Sequence, residues 1–219
     1  LVLKSLMDLK DLKEKNTSIK ALTYQLYENN GVLKREQVSE YLKKLGQDER
    51  KTLRNLGVKF GRYHVFLHRL IKPESVSLRT LLWKNYHQKY FNLKPPTFGL
   101  NFLEDHKSQN QDFMLLCGFE KFDNFYIRID ILERLFMKII SSNTEKNITK
   151  EVKMTPEMLN LLGCSKIKFK KLIKNMNYKI REKNNEIFFR YSPKKIFKKQ
   201  EKKITKESPF GILKKLDLN

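Results

Sequence analysis

The stretch Thr155-Pro-Glu-Met-Leu-Asn-Leu-Leu-Gly-Cys-Ser-Lys-Ile-Lys-Phe-Lys-Lys-Leu-Ile-Lys-Asn-Met176 predicts two consecutive short helices in the second half of the chain. Thr155 and Pro156 are typical of an N-cap and a first helical position, and Gly163 predicts the end of that helix. Ser165 predicts the cap of a second helix that runs to Met176. Two helices separated by so short a turn are typical of a helix-turn-helix.

The segments on either side extend this pattern. The sequence predicts a preceding helix capped by Asp130-Ile-Leu-Glu133, a strand over 148–154, and a hairpin of strands 178–182 and 186–191 that turns at Asn184-Asn185. Further upstream, 113–117 and 124–129 are predicted to be short strands. The order helix, strand, helix, turn, helix, two-stranded wing is that of a winged helix-turn-helix.

The first half is predicted to be mainly helical. Apolar residues recur at helical spacing over 3–14, 18–29, 34–45, 48–56 and 73–89, whereas 58–67 alternates and predicts an extended segment or bent hairpin. The predicted fold class is therefore mainly α with small β elements (α+β). We divide the chain into a helical accessory domain (1–94), a linker (95–112), a winged-helix-like domain (113–192) and a basic tail (193–219) whose apolar end, Ser208-Pro-Phe-Gly-Ile-Leu213, is expected to dock on another surface.

Charge points to the class of partner. The 219 residues include 46 Lys and Arg against 24 Asp and Glu, a formal net charge of +22. Residues 1–94 carry a net +11, 95–145 a net −3 and 146–219 a net +14. Clustered basic side chains bind nucleic acids by releasing counterions from the phosphates. We predict RNA or DNA as the partner, with an anionic membrane surface or an ordinary solvated lysine surface as the alternatives.

The sequence disfavours membrane, secreted and zinc-binding proteins. No apolar run approaches the roughly 18 residues of a membrane span, and no signal-peptide pattern opens the chain, so we predict no membrane partner and a cytoplasmic location. Cys117 and Cys164 stand apart without zinc-type spacing, and reduced thiols are expected. Because the chain begins with Leu1 inside a predicted helix, we expect it to be the C-terminal part of a longer protein.

The second helix of the predicted turn motif is the first candidate contact surface. It carries five lysines, Lys166, Lys168, Lys170, Lys171 and Lys174. In such motifs this helix normally enters a nucleic-acid groove. Lysine lacks the planar fork with which arginine recognises guanine, so sequence-specific recognition is not expected. The alternative is a solvated basic face on a protein-contacting module.

The sequence contains no recognisable catalytic motif. Gly57 and Gly61 lack the Gly-Lys-Ser/Thr of a phosphate-binding loop, and Leu103-Glu-Asp-His106 has the wrong order for a magnesium-binding helicase box. His64 and His68 are four residues apart, but we favour a surface or packed pair over a metal site. Three aromatic residues either stack on bases or belong to a core, and the core is favoured: Trp83, Tyr86 and Tyr90. We expect no catalytic, cofactor or metal site in these 219 residues.

Several collinear segments resemble the C-terminal region of a bacterial helicase family, best known from alphaproteobacteria, of superfamily-two ATP-dependent helicases related to the mitochondrial degradosome RNA helicase. The segments are Leu22–Arg35 (LTYQLYENNGVLKR), Arg50–Arg62 (RKTLRNLGVKFGR), Val65–Leu67, Leu70–Pro73, Leu78–Trp83 (LRTLLW), Arg128–Leu135 (RIDILERL), Thr155–Cys164 (TPEMLNLLGC) and Ser208–Phe210. The resemblance implies two motor domains, with their ATP and magnesium sites, that would precede Leu1.

The resemblance implies an accessory region that lies next to the nucleic-acid strand that the motor domains pull. Charge and motif position make Lys59 and Arg62 the leading contacts, followed by Arg54 and the lysines of helix 166–176. The implied partners are single-stranded or duplex RNA or DNA, the chain's own motor domains and a nuclease. The alternative is a protein-interaction module that docks a nuclease or ribosomal partner, and a free-standing DNA-binding regulator is a third interpretation.

Overall fold

A computed structural model describes residues 2–12, 17–88, 92–105, 110–144, 151–184 and 186–192. The predicted mixture of helices with small β elements is confirmed: helices surround three antiparallel sheets of three strands each. We refer to residues 17–67 as the first repeat, to residues 68–128 as the central unit and to residues 129–191 as the second repeat. The predicted basic tail, 193–219, lies outside the described residues.

The first repeat contains a sheet as well as helices: two of its strands lie within 58–67, which the sequence predicts to be extended or a bent hairpin, and the third was not predicted. Its elements are α2 (Thr17–Glu28), β1 (Val32–Lys34), a short 3-10 helix (Arg35–Val38), α3 (Ser39–Lys44), α4 (Gln47–Asn55), β2 (Val58–Phe60) and β3 (His64–Leu67), and α1 (Lys4–Lys10) precedes them. The strand order is β1-β3-β2. Because α2 carries Ile19, Leu22 and Leu26 on one stripe, that stripe is buried in the core of the repeat.

The central unit joins the two repeats. Its elements are a short 3-10 helix (His68–Ile71), α5 (Pro73–Tyr86), β4 (Phe102–Glu104), α6 (Gln111–Leu116), β5 (Phe119–Phe122) and β6 (Phe125–Arg128). The strand order is β4-β6-β5. A small apolar cluster of Val32, Phe66, Ile71 and Ile129 contains residues of both repeats and of the central unit.

The second repeat has the order of elements that the sequence predicted. It comprises α7 (Ile129–Thr144), β7 (Val152–Lys153), α8 (Pro156–Leu162), α9 (Lys166–Asn175), β8 (Tyr178–Lys183) and β9 (Glu186–Tyr191). Gly163 ends α8 with a φ of 69°, a left-handed conformation that glycine adopts at little cost. The side chain of Ser165 accepts a hydrogen bond from the Lys168 N–H at 3.4 Å, which confirms the predicted cap of α9.

The same order of elements occurs twice along the chain. In both repeats a long helix is followed by a short strand, two short helices and a hairpin. In each repeat the third strand lies between the first and the second, giving β1-β3-β2 and β7-β9-β8. The central sheet shares this strand order with a single helix, α6, between its first two strands.

Two local predictions are wrong. Residues 113–117 belong to α6 and its C-cap instead of a strand, because the Asn110 side chain accepts from the Phe113 N–H and starts a helix there. Asp130 and Glu133 form no capping box: Asp130 pairs with Arg128, and Glu133 reaches a distant turn. Within 95–112, the segment predicted as a linker, Phe102–Glu104 forms β4 of the central sheet.

Candidate nucleic-acid interface

The turn between β2 and β3 is held by a carboxylate from α7 of the second repeat. Glu133 on α7 accepts hydrogen bonds from the backbone N–H groups of Arg62, Tyr63 (2.9 Å) and His64 (3.0 Å). On the opposite side of the turn, Arg35 Nη1 donates to the Gly61 carbonyl at 2.6 Å. Burial disfavours the ionised form of Glu133, but the adjacent His64 and the three backbone N–H groups outweigh burial, so the pKa of Glu133 is lowered.

His64 lies buried between two carboxylates next to this turn. Its Nε2 is 3.0 Å from Glu120 Oε2, and its Nδ1 is 3.7 Å from Glu133 Oε1. The second distance is too long for a hydrogen bond, so the effect of Glu133 on His64 is electrostatic. Burial alone lowers the pKa of His64, but the two carboxylates outweigh burial and raise it above 6.5. Lys34 pairs with Glu120 at 2.8 Å and completes the cluster.

A cleft of about 690 Å³ opens beside this cluster, at the junction of the two repeats and the central unit. Its basic lining consists of Lys34, Arg35 and Arg62. Its aromatic lining comes from all three parts of the fold and consists of Tyr63, Phe122, Phe136, Tyr178 and Tyr191. Cationic groups with interleaved aromatic rings are the composition of surfaces that bind single-stranded nucleic acid.

Arg62 is a basic residue of the cleft that also contacts its aromatic lining. Its guanidinium lies 5.7 Å from the centre of the Phe136 ring, and its side chain remains exposed. Tyr63 packs edge-on against the same ring at 5.8 Å. Burial raises the pKa of Tyr178, which the nearby Arg62 charge partly offsets. A side chain of the first repeat therefore acts electrostatically on a side chain of the second.

Of the three leading contacts from the first half, the structure places only Arg62 in the cleft. Arg54 stacks at 5.8 Å on the Phe60 ring, which it shares with Arg50 at 5.8 Å. Lys59 is exposed on β2 and forms no ion pair with a described residue. Arg54 and Lys59 are accessible to a ligand, but they do not line the cleft.

The five lysines of α9 fall into two groups. Lys168 pairs with Glu104 of the central sheet, and Lys170 pairs with Glu182 of β8 at 2.8 Å. The other three are exposed and form no ion pair within the part of the chain that the structure describes: Lys166, Lys171 and Lys174. Lys171 stands one helical turn before Asn175, which lines the cleft, so this lysine lies on the face that leads into it.

Sequence reasoning missed Lys34, Arg35 and the acidic pair Glu120 and Glu133. Nothing in the local sequence marks these four as neighbours, because they lie on four different elements of the chain. The one available signal was Gly61. The backbone of Gly61 is not left-handed, so its conformation does not require glycine. The reason for glycine is space, because the Glu133 carboxylate occupies the position that a Cβ atom would take.

The structure also shows the surroundings of the candidate histidine, aromatic and cysteine residues. His64 is buried and His68 half-buried, where the sequence left a surface or a packed pair open, and the described residues contain no group of three His, Cys, Asp or Glu side chains arranged for a metal ion. Trp83 packs 5.4 Å from Phe113, as expected of a core residue, whereas Tyr86 is 84% exposed. Burial raises the pKa of the Cys117 thiol to about 12. Tyr90 lies outside the described residues.

Comparisons with protein families, characterised proteins and solved structures return no significant match. Among the described helices, none combines the length and apolar character needed to cross a membrane. The functional assignment therefore depends on the residues of the cleft and on the sequence pattern.

Proposed function

We propose that this chain binds single-stranded RNA or DNA, without sequence preference, in the cleft between its two repeats. The observation that carries the proposal is the convergence of Lys34, Arg35 and Arg62 with aromatic rings from both repeats in a single cleft. The cations would contact phosphates, and the exposed ring of Tyr191 offers a stacking surface for a base. Cations without a fixed hydrogen-bonding pattern toward base edges suit binding of any sequence.

We infer in addition that both repeats are winged helices. Their order of elements, their hairpins and the position of the third strand in the middle of each sheet support this assignment. In helix-turn-helix modules the second helix of the pair contacts nucleic acid. The equivalent helices here, α4 and α9, both present basic side chains to solvent.

We propose that the whole region acts as the C-terminal accessory part of a cytoplasmic ATP-dependent helicase. The support for this step is the collinear sequence resemblance, which implies motor domains that hold ATP and magnesium. In that arrangement the cleft would hold the strand that the motor pulls. The motor domains and a nuclease are the protein partners that this proposal implies.

The test is fluorescence anisotropy of the full chain with a labelled oligouridine and oligothymidine at two salt concentrations. We expect a dissociation constant that rises with salt and an Arg62→Glu variant that binds at least about tenfold more weakly, a loss of about 1.4 kcal/mol. Lys20→Glu is the matched control, because Lys20 is also exposed, lies on α2 and does not line the cleft. Affinity independent of salt, or equal losses in both variants, would contradict the proposal.

A second candidate function, docking of a protein partner, is favoured by one observation. A groove of about 790 Å³ between α1, α5 and α6 exposes apolar side chains, among them Met7, Leu82 and Tyr86. The two functions separate in one experiment. A Leu82→Ser variant should bind oligonucleotides as the natural chain does, whereas Arg62→Glu should not. If Leu82→Ser weakens oligonucleotide binding as strongly as Arg62→Glu, the cleft is not the principal binding surface.

A further inference from the structure

The outer face of the third sheet is a second cationic surface, on the opposite side of the β8-β9 hairpin from the cleft. Opposite residues in the β-ladder project to the same side of a sheet. Tyr178 and Tyr191 are opposite each other and line the cleft, and the next pair, Lys179 and Arg190, therefore projects to the other side. We call this surface the outer face; its residues are Lys153, Lys179, Arg181, Lys183, Glu186, Phe188 and Arg190.

An aromatic ring stands at the centre of the outer face. Phe188 lies on β9, the middle strand, and is half-buried. Its neighbours across the ladder are Lys153 on β7 and Arg181 on β8, each with its Cβ about 5 Å away. The adjacent residues of the same strand, Ile187 and Phe189, are buried in the core of the second repeat. Because side chains alternate along a strand, Phe188 projects to the opposite, polar side of the sheet.

The cations around Phe188 are largely available to a ligand. Within the part of the chain that the structure describes, Lys153 pairs with Glu186, whereas the other four form no ion pair: Lys179, Arg181, Lys183 and Arg190. All four are exposed. A sheet face with a central aromatic ring, four uncompensated cations and a single carboxylate is complementary to a polyanion that carries flat apolar groups.

We propose that the outer face is a second binding surface for single-stranded nucleic acid, in which Phe188 stacks on a base while Lys179, Arg181 and Arg190 contact neighbouring phosphates. The proposal rests on the proposed function for the class of ligand, and its residues are separate from those of the cleft. Residues 186 to 190 of an extended strand span about 14 Å, and the single aromatic ring on this face offers a stacking surface for one base. A nucleic-acid strand that occupies the cleft and continues past the β8-β9 hairpin would contact both faces of the third sheet.

The test compares variants of the full chain in anisotropy titrations with an oligouridine of about 20 nucleotides at about 50 and 200 mM salt. Phe188→Leu keeps an apolar group under the stems of Lys153 and Arg181 but removes the stacking surface. We expect it to weaken binding at least about fivefold, the lower end for loss of one base–aromatic stack. The double variant Lys179→Glu, Arg181→Glu should also reduce the salt dependence, by about 0.7 in log–log slope for each phosphate that the variant no longer neutralises.

A matched double variant, Lys4→Glu with Lys20→Glu, carries the same change in net charge at exposed positions on α1 and α2. If both outer-face variants bind like this control while Arg62→Glu binds weakly, the outer face is not a binding surface and the proposed function stands. If Arg62→Glu also matches the control, both proposals are overturned.

A second measurement does not depend on the stability of these variants. Trp83 is the single tryptophan of the chain, so Phe188→Trp in a Trp83→Phe background places the only indole on the outer face. Stacking on a base should quench its fluorescence when the oligonucleotide is added. Unchanged fluorescence at saturating oligonucleotide would overturn the proposal.

Discussion

The carboxylate of Glu133 occupies the space in which a Cβ atom on Gly61 would stand. Seventy-two positions separate the two residues in the chain, and the contact joins the β2-β3 turn of the first repeat to α7 of the second. Because Glu133 also accepts three backbone hydrogen bonds from the turn, its side chain cannot move away without breaking them. The same carboxylate holds the backbone of Arg62, whose side chain lines the cleft.

Replacement of Gly61 by alanine is expected to destabilise the protein by about 1–3 kcal/mol, the usual cost of forcing an extra carbon into a packed contact. The free energy of unfolding from urea titrations measures this loss. In a Glu133→Ala background the carboxylate is absent, and the same substitution should then cost less than about 0.5 kcal/mol. Equal costs in both backgrounds would show that the contact is not what requires glycine at position 61.

The buried cluster around His64 predicts a pH dependence of stability. The pKa of His64 is raised above 6.5, so its contribution is complete below pH 6.5 and is lost as pH rises through the raised value. The pKa values of Glu120 and Glu133 are lowered from 4.5, so their contribution is complete above pH 4.5 and is lost as pH falls through the lowered values. The cluster therefore contributes most between about pH 4.5 and 6.5.

Urea titrations across this range check that prediction. The groups that face His64 are Glu120 and Glu133, with Lys34 paired to Glu120. Stability should fall as pH rises above 6.5 in the natural chain, and this fall should be absent in a His64→Gln variant. His68→Gln is the control, since the same pH dependence should persist there. A His64→Gln profile parallel to that of the natural chain would contradict the prediction.

The two groups of α9 lysines should differ in their effect on nucleic-acid binding. Lys168 and Lys170 already hold ion pairs, whereas Lys171 and Lys174 form none with described residues. We expect Lys171→Glu with Lys174→Glu to weaken oligonucleotide binding at least about tenfold and to lower its salt dependence. Lys168→Glu with Lys170→Glu, which carries the same change in charge, should have the smaller effect on affinity. The reverse order would remove α9 from the proposed interface.

Arg79 is a buried structural arginine, and its replacement should be costly. Its guanidinium donates to the carbonyls of Asn30 at 2.6 Å and Leu70 at 2.5 Å, which ties the end of α2 to the 3-10 helix. Arg79→Ala leaves a buried carbonyl (Leu70) and a half-buried one (Asn30) without this donor, and we expect a loss of about 2–4 kcal/mol in the free energy of unfolding. Arg69→Ala, at an exposed position, should change stability by less than about 0.5 kcal/mol. Equal effects would contradict this role.

The sequence predicted those elements whose ends carry local signals. Thr155, Pro156, Gly163 and Ser165 define α8 and α9 through caps and turns that involve only neighbouring residues. Residues 113–117 were assigned wrongly because a short apolar run has no period that separates a helix from a strand. The three-residue strand β1 was missed because its strand conformation depends on pairing with β3, more than 30 residues later.

The cleft illustrates the same limit for function. Arg62 was predicted from its charge and motif position, and those properties are visible in the sequence. Its neighbours Phe136 and Tyr178 lie far along the chain, and only the packing of the two repeats brings them close. Glu133 was taken for a helix cap because its spacing from Asp130 fits that role equally well. Distant hydrogen bonds of this kind leave no trace in local spacing.

The apolar cluster of Val32, Phe66, Ile71 and Ile129 has a consequence for any shortened form of the protein. Ile129 is fully buried, and Val32 and Phe66 are nearly so. A polypeptide truncated after residue 94 would lose Ile129 and expose more of Val32 and Phe66 on the sheet of its N-terminal half, and exposed apolar surface drives self-association. Fragments cut at this point should therefore be recovered as aggregates or oligomers, and the full chain is the suitable form for biochemical experiments.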